Sequence, residues 1–434
     1  MSAPKRFGFT LLASALALAT LDLAGRVLVV DPRDTPQNAG SVGVDLPYDP
    51  YTRLVGETAD GARHFVRGGT TFQPATWRVP RPQKGGYRIA VVGDSTVFGA
   101  FPEMFHRGLA LPGTQLEVLN FGVPAIGSDR ARIVVTTALQ QDLDLLLVYV
   151  GHNDVLEARL NPAALEPFWR RKVRSVVVNG GIGRLLRRLV PPRTASAKEA
   201  SADWRAREVA AVTPSDRAAV EAAYRANLTA ICDAAKGAGV AVAFVEPISS
   251  LLHRPEVQEQ DDPGFADQIL VKETQERYVA DPTTDFTAPA AALARRAPGS
   301  ALAHYLAGRA SLAAGDREGA LTELRAARAR DDHPWRATES MWTILRDVAA
   351  GYGAHAIATE PAFLADPRYL AQGDALFVDQ VHPSAEGVVV LAEAVGRTLI
   401  PSLPHGAYWQ MRPLGGHTPV PPPVQGFRPP PNPR

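Results

Sequence analysis

Five short apolar segments are spaced along the chain, separated by longer stretches that carry helical periodicity. The segments are residues 87–92, 116–120, 143–150, 240–245 and 355–359. Strands that alternate with helices are typical of a parallel sheet with right-handed crossovers. An almost unbroken apolar run such as 143–150 is typical of a central strand buried on both faces. The pattern therefore predicts an α/β fold built on five parallel strands.

The amino terminus has the pattern of an export signal. Lys5 and Arg6 precede an apolar run at 7–21, and apolar character resumes at 23–30. A membrane-spanning helix needs about 20 apolar residues and a signal-peptide core about 7–15. Residues 1–30 therefore fit an uncleaved signal anchor or a cleaved signal peptide, with an ordinary buried helix as the third alternative. Positive charge ahead of the run favours a cytoplasmic amino terminus, so we expect the rest of the chain to be exported.

Three further segments lack the pattern of the core. Residues 31–84 are rich in Pro, Gly, Asp and Thr, which predicts a loop-rich linker with room for one short β-hairpin. Residues 412–434 are Pro-rich, which predicts a disordered tail or a polyproline II ligand. Residues 165–212 form a basic insertion, with eight Arg or Lys and no acid between Arg170 and Arg193. This insertion suits an anionic membrane surface, a lid over a site or a solvated helix face.

A helical insert is predicted at 266–334. The spacing of residues such as Gly308 and Gly315 matches a 34-residue helix-turn-helix repeat of the tetratricopeptide (TPR) type, and an Ala-rich helical hairpin is the alternative. One repeat buries little apolar surface, so it must pack on the core, and it is also a candidate surface for a protein partner. The chain leaves the insert through Trp335 and Arg336, which either approach a substrate or only cap the hairpin.

Composition excludes several classes of function. The 434 residues carry a formal net charge of +1, which gives no sign of a nucleic-acid partner. Cys232 is the only cysteine, so the chain cannot form an internal disulfide, and we expect it to be a small buried residue in a helix at 216–238. No spacing of His, Cys, Asp or Glu suggests a metal site, and no cofactor is predicted.

Three short blocks, far apart along the chain, carry candidate chemistry. They are residues 93–95 (Gly-Asp-Ser), 151–154 (Gly-His-Asn-Asp) and 379–382 (Asp-Gln-Val-His). Ser95 follows the first predicted strand, and ligands of open α/β sheets bind at the carboxyl ends of strands. A helix is predicted to start there and to run through Met104, so that its first amide groups favour developing negative charge.

The residue types in these blocks fit acyl transfer through serine. Asp379 stands three positions before His382, so its carboxylate can contact one imidazole nitrogen while the other nitrogen takes the proton of Ser95. Asn153 follows a strand and can aim its amide at a substrate oxygen. Its neighbour His152 is expected to be a wall residue and not a second base. The set supplies a nucleophile, a base with its orienting carboxylate, and an oxyanion donor.

The blocks resemble those of the SGNH, or GDSL-type, esterase and lipase superfamily, over about residues 85–160 and 225–400. The resemblance implies a flavodoxin-like three-layer α/β/α fold, a parallel sheet with an α-helical insert, whose core occupies 85–265 and 335–411. The extended third block and the helical insert are similar to a membrane-tethered bacterial branch that carries TPR-like helices. That branch implies an inner-membrane location with the catalytic part facing the periplasm or exterior.

The resemblance also assigns roles to residues. It makes Ser95 the nucleophile and, through its N–H, an oxyanion donor. Asn153 is a second donor, His382 is the general base, and Asp379 is the partner of that base. No metal takes part.

The second block departs from the superfamily pattern. The pattern has a Gly five positions after Asn120, whose N–H enters the oxyanion hole, and this chain has Ala125 there. A backbone N–H serves whatever the side chain, so Ala125 is the expected third donor. Gly122 and Gly127 are its rivals.

These features together predict an exported, membrane-anchored serine esterase. It would hydrolyse a carboxylic ester, an O-acyl glycan or a lipid, through an acyl-enzyme. One alternative is an envelope O-acyltransferase with the same chemistry and a sugar acceptor. The other is a tethered scaffold in which the insert and the basic segment bind partners and the Ser-His-Asp group is idle.

Overall fold

A parallel sheet of five strands lies at the centre of the protein, as a computed structural model shows. Its strands are β4 (Tyr87–Gly93), β6 (Leu116–Gly122), β7 (Leu145–Tyr149), β8 (Ala241–Val245) and β9 (His355–Ile357). The structure describes residues 52–67, 75–82, 85–110, 115–160, 162–166, 170, 212–255, 276, 287–331, 335–370, 375–402, 410–411 and 414. The predicted signal at 1–30 lies outside these residues, as do most of the basic insertion and most of the tail.

The strand order confirms the predicted fold class. The order is β6-β4-β7-β8-β9, and every pairing is parallel. Counted along the five strands, this is the 2-1-3-4-5 order of flavodoxin-like sheets. The order reverses direction at β4, and the crevice at its carboxyl end opens beside β6 and β7. All five strands match the apolar segments of the sequence to within a few residues.

Eleven α-helices are found among the described residues. They are α1 (Ser95–Phe98), α2 (Phe101–Gly108), α3 (Ser128–Ala138), α4 (Asp154–Leu160), α5 (Pro214–Ala238), α6 (Thr287–Arg296), α7 (Ala301–Ala313), α8 (Arg317–Arg330), α9 (Glu339–Tyr352), α10 (Glu360–Ala365) and α11 (Ala385–Leu399). The helix expected from Ser95 through Met104 is therefore wrong as a single element. It breaks at residues 99–100, so that α1 is one turn long.

Helices cover both faces of the sheet, which gives the three layers. One face packs strand residues such as Ala90 and Val92 of β4 against α3, α5 and α9. The other face packs Ile89 and Val91 against α2 and α11. Successive strand side chains point to opposite faces, and both faces here are apolar because both are covered. Cys232 is buried in α5, as the sequence predicted.

The segment predicted as a linker is more ordered than expected. It contains a three-stranded antiparallel sheet, β1 (Thr52–Glu57), β2 (Arg63–Arg67) and β3 (Ala75–Val79), where one hairpin was predicted. The buried Arg88 joins this sheet to the core, because its guanidinium donates to the carbonyl of Pro80 at 2.8 Å and pairs with Glu117 at 2.6 Å. The β-branched and aromatic residues of these segments, such as Val66 and Trp77, were the available signal for the missed strands.

The helical insert lies between β8 and β9. Its last two helices, α7 and α8, form a hairpin in which a side chain at Gly308 would collide with Leu324, so this glycine permits the close approach. The described part of the insert is helical as predicted, while its relation to TPR repeats stays a prediction.

The strand β10 (Gln410–Met411) pairs with the short β5 (Leu109–Ala110), at the end of the predicted core. Leu414, which belongs to the segment predicted as a disordered tail, is buried against the core. The rest of the predicted tail lies outside the described residues. Within the described part of the chain, no helix combines the length and apolar character needed to cross a bilayer.

Candidate active site

Three chain segments meet at the carboxyl end of β4, where the sheet order reverses. Strand pairing aligns Gly93 with Gly122 on one side and with Tyr149 on the other. A Cβ at Gly93 would lie 2.4 Å from the Tyr149 carbonyl, and one at Gly122 would lie 2.1 Å from the backbone of Phe98. These two positions must therefore lack side chains for α1 to sit on the strand ends. The turn that follows β4 presents Ser95 at this edge.

The structure brings the side chains of Ser95, His382 and Asp379 together. His382 Nε2 lies 2.7 Å from Ser95 Oγ, and His382 Nδ1 lies 2.6 Å from Asp379 Oδ2. The second carboxylate oxygen of Asp379 accepts the N–H groups of Val381 at 2.9 Å and of His382 at 2.8 Å. The turn 379–382 is thus locked by its own aspartate, which holds the imidazole in one orientation.

The electrostatics of this group favour a base paired with a carboxylate. Burial alone would raise the pKa of Asp379, but the hydrogen bonds from His382 and from the Val381 amide outweigh it and lower that pKa to about 2. The hydrogen bond to Asp379 raises the pKa of His382, partial burial opposes it, and the charge of Asp94 adds to the rise. An ionised Asp379 next to a basic imidazole is the arrangement needed to stabilise an imidazolium.

Asp94 directly precedes Ser95 and is fully buried. Its Oδ1 caps α1 by accepting the Thr96 N–H at 3.0 Å, while its Oδ2 has no hydrogen-bond partner among the described residues. Burial raises the pKa of Asp94 to about 7, although the Thr96 N–H and the nearby His382 oppose the rise. The sequence treated this residue only as part of a motif. Its buried charge depends on α1 and β7 packing over it.

Asn153 lies in the turn between β7 and α4, next to the triad edge. The residue is half-buried, and its side-chain amide makes no hydrogen bond to any described residue. An amide that no protein group occupies can donate to a ligand oxygen. The structure therefore leaves the amide predicted as an oxyanion donor available for that use.

His152 is a buried wall residue, as expected. Its Nδ1 accepts the backbone N–H of Ala337 at 3.1 Å, so the ring proton is on Nε2, which lies 3.2 Å from the hydroxyl of Tyr149. Burial lowers the pKa of His152 to about 3, and repulsion from His382 adds to the fall. The ring is neutral with both nitrogens occupied, so it does not serve as a second base.

Ala125 has the backbone conformation of a glycine position. Its φ is +58°, in the left-handed region that non-glycine residues rarely adopt. The segment that carries it stays beside the nucleophile strand, because the Val123 N–H donates to the Gly93 carbonyl at 2.9 Å. Of the two rivals, Gly122 donates its N–H to Asn120 Oδ1 at 2.9 Å. Gly127 precedes α3 and packs against Glu157.

The sequence allows Trp335 and Arg336 either to approach a substrate or to cap the helical hairpin, and the structure places Arg336 inside the protein. Its guanidinium is 2% exposed and is satisfied by Asp331 and by the Ser250 carbonyl. Arg336 therefore does not reach a substrate. Among the described residues, no group of His, Cys, Asp and Glu is arranged to hold a metal ion.

Comparison with known proteins gives structural neighbours only. No family model and no curated protein matches the chain. It is similar to a GDSL-like lipase from Bacteroides thetaiotaomicron, at 10% identity and a TM-score of 0.33, over 75% of this chain and 93% of that one. An acetyl xylan esterase matches at 13% identity and a TM-score of 0.32, over 72% of this chain and 99% of that one. An SGNH-hydrolase family esterase matches at 13% identity and a TM-score of 0.28, over 74% of this chain and 100% of that one. Likeness this weak transfers no activity to this chain.

Proposed function

We propose that this chain is a serine ester hydrolase of the SGNH type that works through an acyl-enzyme on Ser95. The observation that carries the proposal is the 2.7 Å contact between Ser95 Oγ and His382 Nε2, with Asp379 at 2.6 Å on the opposite ring nitrogen. A nucleophile, a base and an orienting carboxylate in that order are the parts that acyl transfer through serine requires.

The first half of the reaction acylates the serine. The Ser95 hydroxyl passes its proton to His382 Nε2 as the oxygen attacks the ester carbonyl. The tetrahedral oxyanion is held by the N–H groups of Ser95 and Ala125 and by the amide of Asn153. The C–O bond to the alcohol then breaks, and the imidazolium returns its proton to the departing alcohol oxygen.

The second half releases the acid. Water gives a proton to His382 Nε2 and attacks the acyl carbon, and the same three donors hold the second oxyanion. The Ser95–acyl bond breaks, Ser95 recovers its proton from the imidazolium, and the free acid leaves. Asp379 stays ionised throughout, because its pKa of about 2 is far below neutral pH. Its charge stabilises the imidazolium in both halves.

The proposed substrate is a carboxylic ester, an O-acyl glycan or a lipid, met outside the cytoplasm. The support for export is the amino-terminal sequence, in which Lys5 and Arg6 precede a long apolar run. We propose that this run tethers the enzyme to a bacterial inner membrane, and that the helical insert offers a surface to a protein partner. A fusion of residues 1–35 to a reporter enzyme active only after export tests the location, and the mass of the mature chain separates an anchor from a cleaved signal.

The activity is tested with p-nitrophenyl acetate on the purified protein. The wild type should release a burst of nitrophenol followed by slower turnover, because acylation precedes hydrolysis of the acyl-enzyme. Ser95→Ala and His382→Ala should both fall close to the uncatalysed rate. Ser340→Ala and His106→Gln are matched controls, because both residues are exposed and their hydrogen bonds go to residues outside the triad. Equal rates for the wild type and both triad variants would refute the assignment.

The same assay separates hydrolysis from transfer. Acetylated xylan and a short-chain phospholipid are offered as donors, with and without a sugar acceptor, and the products are counted as free acid and as new ester. Hydrolysis predicts that free acid dominates with the acceptor present. New sugar ester in excess of free acid would make the protein a transferase that uses the same triad.

A further inference from the structure

The helical insert returns to the core through residues 335–338, which pass directly behind the active site. This segment joins α8 of the insert to α9 of the core. Arg336 and Ala337 within it are almost fully buried, at 2% and 0% exposure. Buried polar groups must be hydrogen-bonded, so the partners of this segment show what it holds.

One partner belongs to the base side of the site. The Arg336 guanidinium donates to the carbonyl of Ser250 at 2.9 Å, in the loop that follows β8. The N–H of the same Ser250 donates to the carbonyl of Gln380 at 2.9 Å. Gln380 lies inside the turn 379–382, between the carboxylate and the imidazole of the triad. Two hydrogen bonds therefore connect Arg336 to the turn that carries the general base.

The other partner belongs to the oxyanion side. The N–H of Ala337 donates to His152 Nδ1 at 3.1 Å, and His152 precedes the donor Asn153. The proton on Nε2 then faces the hydroxyl of Tyr149, whose oxygen also accepts the N–H of Ile248 at 3.1 Å. The loop after β8 is thus tied to the second half of the site as well. Neighbouring residues of one segment hold both halves.

The contact of Arg336 is costly to lose. Burial lowers the pKa of this guanidinium, and the carboxylate of Asp331 opposes the fall. Asp331 lies 3.1 Å from Nη2 and is itself 4% exposed. A buried cation without its full set of acceptors is unstable, so the Ser250 carbonyl is held firmly in place.

We propose that Arg336 is a positioning residue for the reaction, holding the turn 379–382 through Ser250 so that His382 stays aligned with Ser95. The segment 335–338 that returns from the helical insert is, on this proposal, part of the active-site framework and sets the geometry of the base. The proposal rests on the proposed function for its meaning, although the contacts do not depend on any substrate. A misplacement of about 1 Å in a catalytic group can cost up to about 100-fold in rate, so a small shift in this turn matters.

The test compares Arg336→Lys with Arg328→Lys. Lysine keeps a cation beside Asp331 but lacks the forked donors that reach both Asp331 and Ser250. Arg328 is the matched control: it is fully buried in α8, pairs with Glu339 and Glu360, and stacks on Trp342. Among the described residues, no hydrogen bond or ion pair joins it to Ser250 or to the turn 379–382. We expect Arg336→Lys to lower kcat for p-nitrophenyl acetate about tenfold or more, with KM within about threefold. Arg328→Lys should change kcat by less than about twofold at an equal or larger loss in Tm.

A second readout needs no substrate. The charged groups that face the His382 ring are Asp379 and Asp94, with the neutral His152 beyond them, and the substitution changes none of them. A looser turn weakens the Asp379–His382 hydrogen bond, so the titration midpoint of the His382 ring should fall in Arg336→Lys. It should stay constant in Arg328→Lys. NMR on ¹⁵N-histidine-labelled protein measures this midpoint. If the wild type hydrolyses no ester, the proposed function fails, and this titration alone decides the positioning role.

The outcomes are distinct. A kcat loss no larger than that of the control, with an unmoved His382 midpoint, would overturn the proposal. If Arg336→Lys does not fold, the pair Arg336→Met with Asp331→Asn removes both buried charges together, which proteins tolerate better than the loss of one. We expect the same loss in kcat and the same fall in the His382 midpoint in this double variant. If neither occurs, the positioning role of Arg336 is refuted.

Discussion

The carboxylate of Asp154 binds both the backbone N–H and the hydroxyl of Ser128. The two carboxylate oxygens lie 3.1 and 3.2 Å from the Ser128 nitrogen, and Asn227 donates to the same hydroxyl at 3.0 Å. Asp154 directly follows Asn153, and Ser128 ends the loop that carries Ala125. One buried carboxylate therefore joins the two loops that supply the proposed oxyanion donors. Donors held in advance stabilise a transition state without the cost of ordering them during the reaction.

Removal of the Asn153 amide should slow the chemical step without weakening substrate binding. Asn153→Ala is expected to lower kcat by about 100-fold to 1,000-fold, the usual cost of one oxyanion donor. Asn153→Asp should lose as much, because an ionised carboxylate accepts hydrogen bonds but donates none. Steady-state kinetics with p-nitrophenyl acetate measure both variants. A loss below about threefold in kcat would exclude this amide from the oxyanion hole.

A glycine at position 125 should stabilise the protein and leave its activity intact. The φ of +58° costs an alanine about 1–2 kcal/mol, and the extra flexibility of glycine takes back about 0.5–1 kcal/mol. Ala125→Gly is therefore expected to raise the free energy of unfolding by up to about 1 kcal/mol. The proposed donor is the backbone N–H, so kcat should change little.

The matched control for position 125 is Ala131→Gly in α3. That residue is buried and helical, and the substitution should destabilise the protein by about 1 kcal/mol. Urea unfolding measures both variants. Destabilisation by Ala125→Gly of the same size as the control would show that position 125 is not strained, and a large fall in kcat would show that its side chain matters.

The pH dependence of activity should follow His382. The base must be neutral to accept the Ser95 proton, so kcat/KM should rise with pH through the pKa of His382, which the Asp379 hydrogen bond raises above its ordinary value. Asp379→Asn removes the charge, and because the N–H groups of Val381 and His382 hold its amide oxygen, it turns an NH2 donor toward His382 Nδ1. The midpoint of the acid limb should then move to lower pH, while kcat falls about 10,000-fold because the ring takes the wrong tautomer. A midpoint that stays constant in the variant would contradict the proposed pairing.

The contribution of Asp94 to the free energy of unfolding should fall as pH rises between about 4 and 7. Its pKa of about 7 in the folded state lies above the ordinary value near 3.9, so the folded state binds more protons in this window and loses stability as they leave. Asp94→Asn keeps the capping oxygen for Thr96 but carries no charge. The variant should be more stable than the wild type by about 1–3 kcal/mol at pH 8 and equal to it near pH 4.

The measurement for Asp94 is urea unfolding at pH 4, 6 and 8. Asp379 does not confuse the result, because its pKa is lowered to about 2 and its contribution is lost only below about pH 4, as the pH falls. The raised pKa of Asp154, about 6, has the same sign as that of Asp94 but is present in both proteins. If the free energies of unfolding of the wild type and the variant differ by the same amount at all three pH values, Asp94 is not the source of the pH dependence.

Local patterns predicted the framework of the protein well. The five strands were predicted because each is a short apolar run bounded by turn residues, and a run of side chains that avoid water forms a buried strand. The residues of the proposed triad could be singled out because few residue types can act as nucleophile, base and orienting carboxylate; the structure brings their side chains together, and their roles stay a prediction. The 2-1-3-4-5 strand order came from resemblance, since apolar runs identify strands but not their neighbours.

Other features depend on contacts that no local pattern contains. The helix expected from Ser95 through Met104 is broken at residues 99–100, and the linker expected at 31–84 contains three paired strands. The buried state of Asp94, the tautomer of His152 and the tie from Arg336 to the active-site turn all require partners far away in the chain. His152 and Ala337, for example, are joined by a hydrogen bond although they lie 185 positions apart in the chain.

By itself, the amino-acid sequence determined the five strands of the central sheet and indicated which side chains could serve in acyl transfer. Both are properties of residue type and of spacing over a few positions. Only the tertiary structure decided that Ser95 and His382, 287 residues apart, lie 2.7 Å from each other, and that the helical insert returns against both halves of the site. The physical reason is that hydrogen-bond geometry, burial and pKa depend on which elements pack together, and that packing is settled by the whole core at once.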